Sequence, residues 1–220
     1  NMSVLLSGYL GYDIIRYFEK IPDNNIDDLK IPDVKLIRPN FVYIHDNQLN
    51  KLFYIKLAFE KKTNYVTEIS KLKKQITYDL RKQTTKKEVK KIIFKDHKIK
   101  SNITKKKFLN LVKKAKRYIS IGDIFQVVLS QRFEKKLNND PLEIYKKIRK
   151  TNPSPFLYFF NFSKFQIIGS SPEILVRVRN NIITIRPIAG TRKRGKDKFE
   201  DNKLAEDLLN DPKELSEHLM

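Results

Sequence analysis

Cysteine is absent from this chain of 220 residues, which excludes disulfide bonds and thiolate metal sites and is compatible with a reducing compartment. No apolar run approaches the roughly 20 residues that a membrane-spanning helix needs. The N-terminus also lacks the basic and then apolar order of a secretory signal. These absences predict a soluble protein of the cytoplasm. Hydrophobic residues make up 40% of the chain, which is enough for a packed core.

The chain is strongly basic, with a formal net charge of +21. Clustered lysine and arginine would indicate a nucleic-acid partner, because they neutralise phosphates. Here the lysines are spread along the chain, mostly on the polar side of amphipathic patterns. We therefore interpret them as a solvated surface and expect neither nucleic acid nor membrane as a partner. A basic nucleic-acid-binding module, with residues 192–198 as its contact loop, is the alternative from another class.

The first hundred residues read as turn-rich and strand-like segments followed by a basic helix. Residues 41–46 and 52–59 are short β-type runs on either side of residues 47–51, which predicts a hairpin. Residues 64–82 place apolar side chains at helical spacing. A Lys- and Thr-rich stretch at 83–101 follows, and we place a domain boundary there.

The second half has stronger helix signals. Thr104 can cap a helix that ends near Gly122. Asp140 and Asp211 each precede a proline and a capping-box glutamate, which predicts a helix start at both places. The second of these helices reaches the last residue without a terminating signal, so we expect the chain to be a fragment.

Several further segments have the composition of strands. Residues 124–133 are β-branched and aromatic, and their nearly continuous apolar character predicts a strand buried on both faces. Four more runs predict an antiparallel sheet, with a turn at the Asn180-Asn181 pair. These four runs are residues 156–162, 165–169, 173–178 and 182–186.

Five motifs then occur in order. They are GDIFQVVLS at 122–130, NPSP at 152–155, GSSPE at 169–173, RPIAGTRKRG at 186–195 and ELSEHLM at 214–220. Together they resemble the anthranilate synthase component I family of chorismate-utilising enzymes, as does GYLGYD at 8–13. No match is found between residues 26 and 102.

The resemblance implies an α+β chain of the layered α/β/β/α chorismate-utilising fold, a β-sandwich flanked by helices. Residues 1–100 would be the C-terminal part of the N-terminal, regulatory-type domain with a linker. Residues 101–220 would be the first half of the chorismate-binding catalytic domain, and the family's catalytic histidine would lie beyond Met220. We therefore expect the fragment alone to be inactive.

The resemblance also implies a reaction. Chorismate and ammonia would give anthranilate and pyruvate in tryptophan biosynthesis, with Mg²⁺ as cofactor. A separate glutamine amidotransferase subunit, component II, would supply the ammonia, and tryptophan would act as feedback inhibitor. Pro155, Phe156 and Leu157 match part of the family's tryptophan pocket, although apolar strand residues also serve as core.

Two acidic residues are the candidate metal ligands. Glu214 and Glu217 are three apart on a predicted helix and so lie on one side of it. The resemblance makes Glu217 the Mg²⁺ ligand and Glu214 its neighbour in the active site. From the residues alone, acids in a first helical turn more often serve the capping box and the helix dipole.

Three further residues match substrate-handling positions of the family. Glu173 would be the general acid that helps the ring hydroxyl of chorismate to leave, since hydroxide leaves slowly without protonation. Gly190 and Thr191 would hold chorismate. Without the resemblance, Glu173 is a solvent-facing strand residue and the Gly-Thr pair belongs to a basic surface turn.

Two positions separate the family from its relatives. Isochorismate and salicylate synthases carry a lysine where Gln126 stands, and glutamine cannot deprotonate water, which favours ammonia as nucleophile. Aminodeoxychorismate synthases often carry a nucleophilic lysine where this chain has Ala189. Aminodeoxychorismate synthase component I remains the alternative among enzymes, and a noncatalytic remnant of gene decay remains a third possibility.

Overall fold

A computed structural model describes residues 5–57, 64–82 and 98–220 of the chain. The chain divides into two compact units, Asn1–Glu88 and Val89–Met220. Both helices and strands occur, so the predicted α+β class is confirmed. The domain limits at residue 100 stay a prediction. No helix in the described ranges combines the length and the apolar character that crossing a membrane requires.

The first unit contains two antiparallel strand pairs and a long helix. In chain order the elements are strand β1 (Ser7–Leu10), a 3-10 helix (Tyr12–Tyr17), strands β2 (Val34–Ile37), β3 (Phe41–Asp46) and β4 (Lys51–Lys56), and helix α1 (Tyr65–Lys82). β1 pairs with β2 and β3 pairs with β4, both antiparallel. The predicted hairpin and the predicted basic helix are confirmed over the described residues. Residues 58 and 59 of the predicted second strand, and residues 83–97 of the predicted linker, lie outside them. An ion pair between Lys56 and Glu68 joins β4 to α1.

The second unit alternates helices with short strands. Its elements are β5 (Lys100–Ser101), α2 (Lys105–Ser120), β6 (Phe133–Glu134), α3 (Pro141–Thr151), β7 (Phe156–Asn161), β8 (Gln166–Ser171), β9 (Arg177–Arg179), β10 (Ile182–Thr184), α4 (Lys198–Asn210) and α5 (Pro212–Leu219). β5 pairs with β6, β7 with β8, and β9 with β10, all antiparallel.

The predicted helix starts are confirmed by their hydrogen bonds. The side chain of Thr104 accepts from the backbone N–H of Lys107 at the start of α2. Asp140 caps α3 in the same way, and Asp211 caps α5. α2 ends at Ser120, and Gly122 follows with a φ of 83°, a left-handed conformation that glycine adopts without steric cost.

The β7–β8 hairpin explains one glycine of the GSSPE motif. Gly169 lies opposite Tyr158 in the register of the two strands. A Cβ atom on Gly169 would lie 2.1 Å from the Cζ atom of the Tyr158 ring. The aromatic ring therefore crosses the strand where no side chain stands. α3 packs beside this hairpin, with the rings of Tyr145 and Phe159 5.9 Å apart.

The strand predicted at residues 124–133 is wrong for most of its length. Only Phe133 and its neighbour Glu134 form a strand, and the predicted burial on both faces fails because the side chains of Phe125 and Val128 are 92% and 85% exposed. A strand needs a neighbouring backbone to take its hydrogen bonds. In the described ranges such a partner exists only at β5, so composition alone does not make the rest a strand.

The four strand-like runs after residue 152 form two separate hairpins within the described residues, where a single antiparallel sheet was expected. The turn at Asn180 and Asn181 is confirmed, with φ values of 51° and 61°. Burial is low throughout the described part of the chain. Leu57 is the one buried hydrophobic residue there, and most other large apolar side chains are exposed or half-buried.

Candidate active site

The PIAGT segment, residues 186–195, meets helix α5 at Gly190. A Cβ atom on Gly190 would lie 2.1 Å from Glu214 Oε2 and 2.9 Å from Glu214 Cβ. A larger residue here would therefore force Glu214 or the neighbouring backbone to shift. The side chain of Glu214 is only 15% exposed. Thr191, the next residue of the segment, is exposed.

Arg192 makes the second contact between the PIAGT segment and the helices. Its Nε atom lies 2.8 Å from Asp207 Oδ2, and its Nη2 atom lies 2.7 Å from Asp211 Oδ2. Its Nη1 atom lies 3.5 Å from Glu214 Oε1. One guanidinium thus faces a carboxylate at the end of α4, the cap of α5 and the first turn of α5. We call this arrangement the Arg192 bridge.

The electrostatics of the Arg192 bridge agree with its geometry. The pKa of Asp211 lies below its usual value, chiefly because the backbone N–H of Glu214 donates to it and also because Arg192 does. Hydrogen bonds to Asp207 and then Asp211 raise the pKa of Arg192 above its usual value. The guanidinium therefore stays protonated well above neutral pH.

Glu217 lies one helical turn beyond Glu214 and faces an open cavity of about 800 Å³. Gln126 reaches the same cavity, and its Nε2 atom donates to Glu217 Oε1 at 3.5 Å. The structure thus brings together two predicted site residues that are 91 positions apart in the chain. The other lining residues are Ile119, Phe125, Lys213, Ser216 and Met220.

Glu214 lines a different and smaller cavity, of about 200 Å³. Ala189, Gly190 and His218 are among its neighbours there. Three residues of an α-helix correspond to about 300° of rotation, which leaves about 60° between the two glutamates. Although this spacing keeps the two acids on one side of α5, they line separate cavities of the described structure.

Glu173 is held against the PIAGT segment. Its Oε1 atom accepts a hydrogen bond from the backbone N–H of Ile188 at 3.2 Å. Its own backbone N–H donates to the hydroxyl of Ser171, at the end of β8. This hydrogen bond joins the predicted general acid to the segment that contains the predicted substrate turn.

The three predicted tryptophan-contact residues lie together at the start of β7. Pro155 and Phe156 are exposed, and Leu157 is half-buried opposite Ser170. The Ser170 hydroxyl donates to the backbone carbonyl of Asn152, which ties the NPSP turn to the GSSPE motif. None of the three lines either cavity described above.

The carboxylates can be compared with the demands of Mg²⁺. This ion commonly takes one or two protein carboxylates and completes its shell with water and substrate oxygens. Glu217, half-buried at the open cavity, fits that role. Glu214 is already engaged by Arg192. The described residues contain no cluster of three or more potential metal ligands.

Sequence reasoning missed the Arg192 bridge. Arg192 was one of several cations after the Gly-Thr pair, and no spacing rule connects it with Asp207 or Asp211. It also missed Lys213 and Ser216 as cavity residues. Helical spacing offered the only available signal, because Lys213 and Ser216 are three residues apart and next to the two glutamates.

The comparisons with known proteins identify the class. A family model described as chorismate binding enzyme matches residues 2–220. Since this match covers nearly the whole sequence, the chain belongs to the chorismate binding enzyme family.

Similar proteins carry a more specific name than the family model does. The chain is 43% identical to anthranilate synthase component 1 of Aquifex aeolicus over 98% of its own length and 44% of that protein. It is also 43% identical to anthranilate synthase component 1 of Cereibacter sphaeroides, with the same two coverages. The crystal structure of anthranilate synthase component I from Streptococcus pneumoniae matches with a TM-score of 0.83 at 35% identity, over 98% of this chain and 47% of that one. The chain thus spans less than half the length of the relatives it matches.

Proposed function

We propose that this chain belongs to an anthranilate synthase large subunit, which converts chorismate and ammonia into anthranilate and pyruvate. The contact between Gln126 and Glu217 at one cavity carries the proposal. This contact supports the proposal, because Gln126 would favour ammonia over water and Glu217 would hold the metal. The identity of about 40% to several proteins named anthranilate synthase component 1 supports the same activity.

The reaction needs a nucleophile, an acid and a place for two substrate carboxylates. Ammonia forms a bond to a ring carbon of chorismate while the ring hydroxyl leaves as water. Gln126 cannot act as a base toward water, so it would orient ammonia and leave water unactivated. Glu173 would donate the proton to the departing hydroxyl. The enolpyruvyl group then leaves as pyruvate, and loss of a ring proton makes the ring aromatic.

Mg²⁺, when bound, would supply positive charge between Glu217 and a carboxylate of the substrate. Glu214 would be its neighbour in the site. The backbone at Gly190 and the exposed hydroxyl of Thr191 would hold chorismate from the PIAGT segment. A donor in that position suits an anionic ligand, because a threonine hydroxyl can donate to a carboxylate oxygen.

The expected partner is a glutamine amidotransferase subunit, component II, which would release ammonia from glutamine. Tryptophan is the expected feedback inhibitor, with Pro155, Phe156 and Leu157 forming one side of its pocket. A cytoplasmic location is expected for such a biosynthetic enzyme. Ala189 argues against aminodeoxychorismate synthase, because alanine cannot form the covalent intermediate that a lysine at this position provides.

The test uses the full-length gene product that contains this chain. Chorismate, an ammonium salt and Mg²⁺ are supplied, and anthranilate fluorescence is followed together with pyruvate release. Pyruvate release distinguishes anthranilate synthase from aminodeoxychorismate synthase, since aminodeoxychorismate retains its enolpyruvyl group. Glu217→Gln is expected to abolish Mg²⁺-dependent turnover without changing the circular dichroism spectrum. Glu206→Gln, an equal change at an exposed position of α4, is the matched control. Full activity of Glu217→Gln would refute the metal assignment.

A further inference from the structure

Arg192, in the PIAGT segment, contacts both α4 and the start of α5. Its guanidinium faces Asp207 at 2.8 Å, Asp211 at 2.7 Å and Glu214 at 3.5 Å. Its own side chain is 25% exposed. Three carboxylates drawn to one point repel one another, and a planar guanidinium with five donors is the side chain that can serve all three.

Asp211 passes this contact on to the helix. Its Oδ2 atom accepts from Arg192, while its Oδ1 atom accepts from the backbone N–H groups of Lys213 and Glu214. The same carboxylate therefore binds the guanidinium and caps α5. A shift of Arg192 would move the cap, and with it the first turn of the helix.

Gly190 supplies a second point of contact on the same segment. The Glu214 side chain lies over Gly190, where any other residue would displace it. These two contacts are two residues apart along the segment. Together they restrain α5 both along its axis and in rotation about that axis. Because Glu217 is one turn beyond Glu214, its position at the open cavity depends on the same two contacts.

We propose that Arg192 is a positioning residue that fixes α5, and through it the carboxylates of Glu214 and Glu217, against the PIAGT segment. The proposal rests on the proposed function for the role of the two glutamates. Lys213 cannot take over this task. Its ammonium lies 3.8 Å from Glu214 on a side chain that is 83% exposed, where solvent screens the interaction.

The chain provides a matched control close by. Arg194 also follows the Gly-Thr pair and forms one ion pair, with Asp201 at 2.8 Å, but its side chain is 90% exposed. Arg194→Gln removes the same charge from the same segment without touching α5. Arg192→Lys keeps the charge and loses the planar fork of donors, so it separates charge from geometry.

The first measurement needs no substrate. Amide hydrogen exchange of residues 212–219 and binding of Mn²⁺, a spectroscopic probe for the Mg²⁺ site, are compared in the full-length protein and its variants. Arg192→Gln is expected to speed exchange in α5 and to weaken Mn²⁺ binding about tenfold, since outer contacts of this kind change metal affinity by about 10- to 100-fold. Arg192→Lys should lie in between, and Arg194→Gln should match the unchanged protein.

The second measurement follows anthranilate formation. For Arg192→Gln we expect the Mg²⁺ concentration at half-maximal rate to rise about tenfold, in step with the loss of Mn²⁺ affinity. A uniform loss of folded protein would lower kcat and leave that concentration unchanged. Unaltered exchange in α5 would overturn the proposal. A full-length protein that makes no anthranilate, yet shows faster α5 exchange in Arg192→Gln, would refute the proposed function and leave the positioning role standing.

Discussion

Replacing Gly190 with alanine tests whether the PIAGT segment and Glu214 are as close as the structure shows. The new methyl carbon would lie 2.1 Å from Glu214 Oε2, 2.5 Å from Cδ and 2.9 Å from Cβ. An ordinary contact is about 3.4 Å or more, so the carboxylate has to move by at least ~1.3 Å. Rotation of the side chain relieves the first two contacts. The third needs a shift of the helix backbone itself, by about 0.5 Å.

Both stability and catalysis are expected to suffer. Overpacking of this kind costs about 1–3 kcal/mol, which would lower the thermal midpoint of the full-length protein. A displacement of about 1 Å in a catalytic geometry can reduce the rate about 100-fold. We therefore expect kcat/KM for ammonia-dependent anthranilate formation to fall by about two orders of magnitude in Gly190→Ala, equivalent to ~2.7 kcal/mol of transition-state stabilisation.

A double-mutant cycle identifies the cause. In a Glu214→Gly background all three clashing atoms are gone, so Gly190→Ala should cost much less stability than it does in the unchanged protein. Equal costs in the two backgrounds would show that the clash with Glu214 is not the reason. An unchanged thermal midpoint together with unchanged kcat/KM would refute the contact altogether.

Three further outcomes follow from the described geometry. The pKa of Asp211 is lowered in the folded state, so its carboxylate stabilises the fold above the usual aspartate pKa of about 4. This stabilisation is lost as the pH falls through the lowered pKa. In a plot of thermal midpoint against pH, Asp211→Asn should remove that loss of stability at acid pH. Gly169→Ala should destabilise the full-length protein by about 1–3 kcal/mol in denaturant unfolding, because Tyr158 lies over the strand, and Tyr158→Leu should relieve most of that cost. The isolated chain of 220 residues should bind the dye 1-anilinonaphthalene-8-sulfonate and unfold without a sharp transition, since its described part buries so little apolar surface; a sharp two-state melt would contradict this.

Local signals predicted local structure well. The caps at Thr104, Asp140 and Asp211 are confirmed, because each depends on hydrogen bonds within three residues of the cap. The Asn180-Asn181 turn is confirmed for the same reason. Residues 124–133 failed because a strand depends on a distant backbone, and no sequence rule shows which segment will pair with it.

In the candidate site, too, local features were predictable from the sequence and contacts between distant segments were not. Glu214 and Glu217 were recognisable as acids one helical turn apart, but their separation into two cavities depends on what the PIAGT segment and Gln126 present to the helix. The approach of Gln126 to Glu217 spans 91 positions of sequence. Charge complementarity around Arg192 was equally invisible, since acids and bases occur throughout a chain of this composition.

The PIAGT segment is the common reference for these side chains. Through Ile188 it holds Glu173, through Gly190 it receives Glu214, and through Arg192 it binds the cap of α5. All three contacts lie within five consecutive residues, so small displacements of this one backbone would move the proposed acid and the proposed metal helix together. A site that must place a proton donor and a carboxylate around one substrate gains from this arrangement, because their separation is then set by one short stretch of backbone.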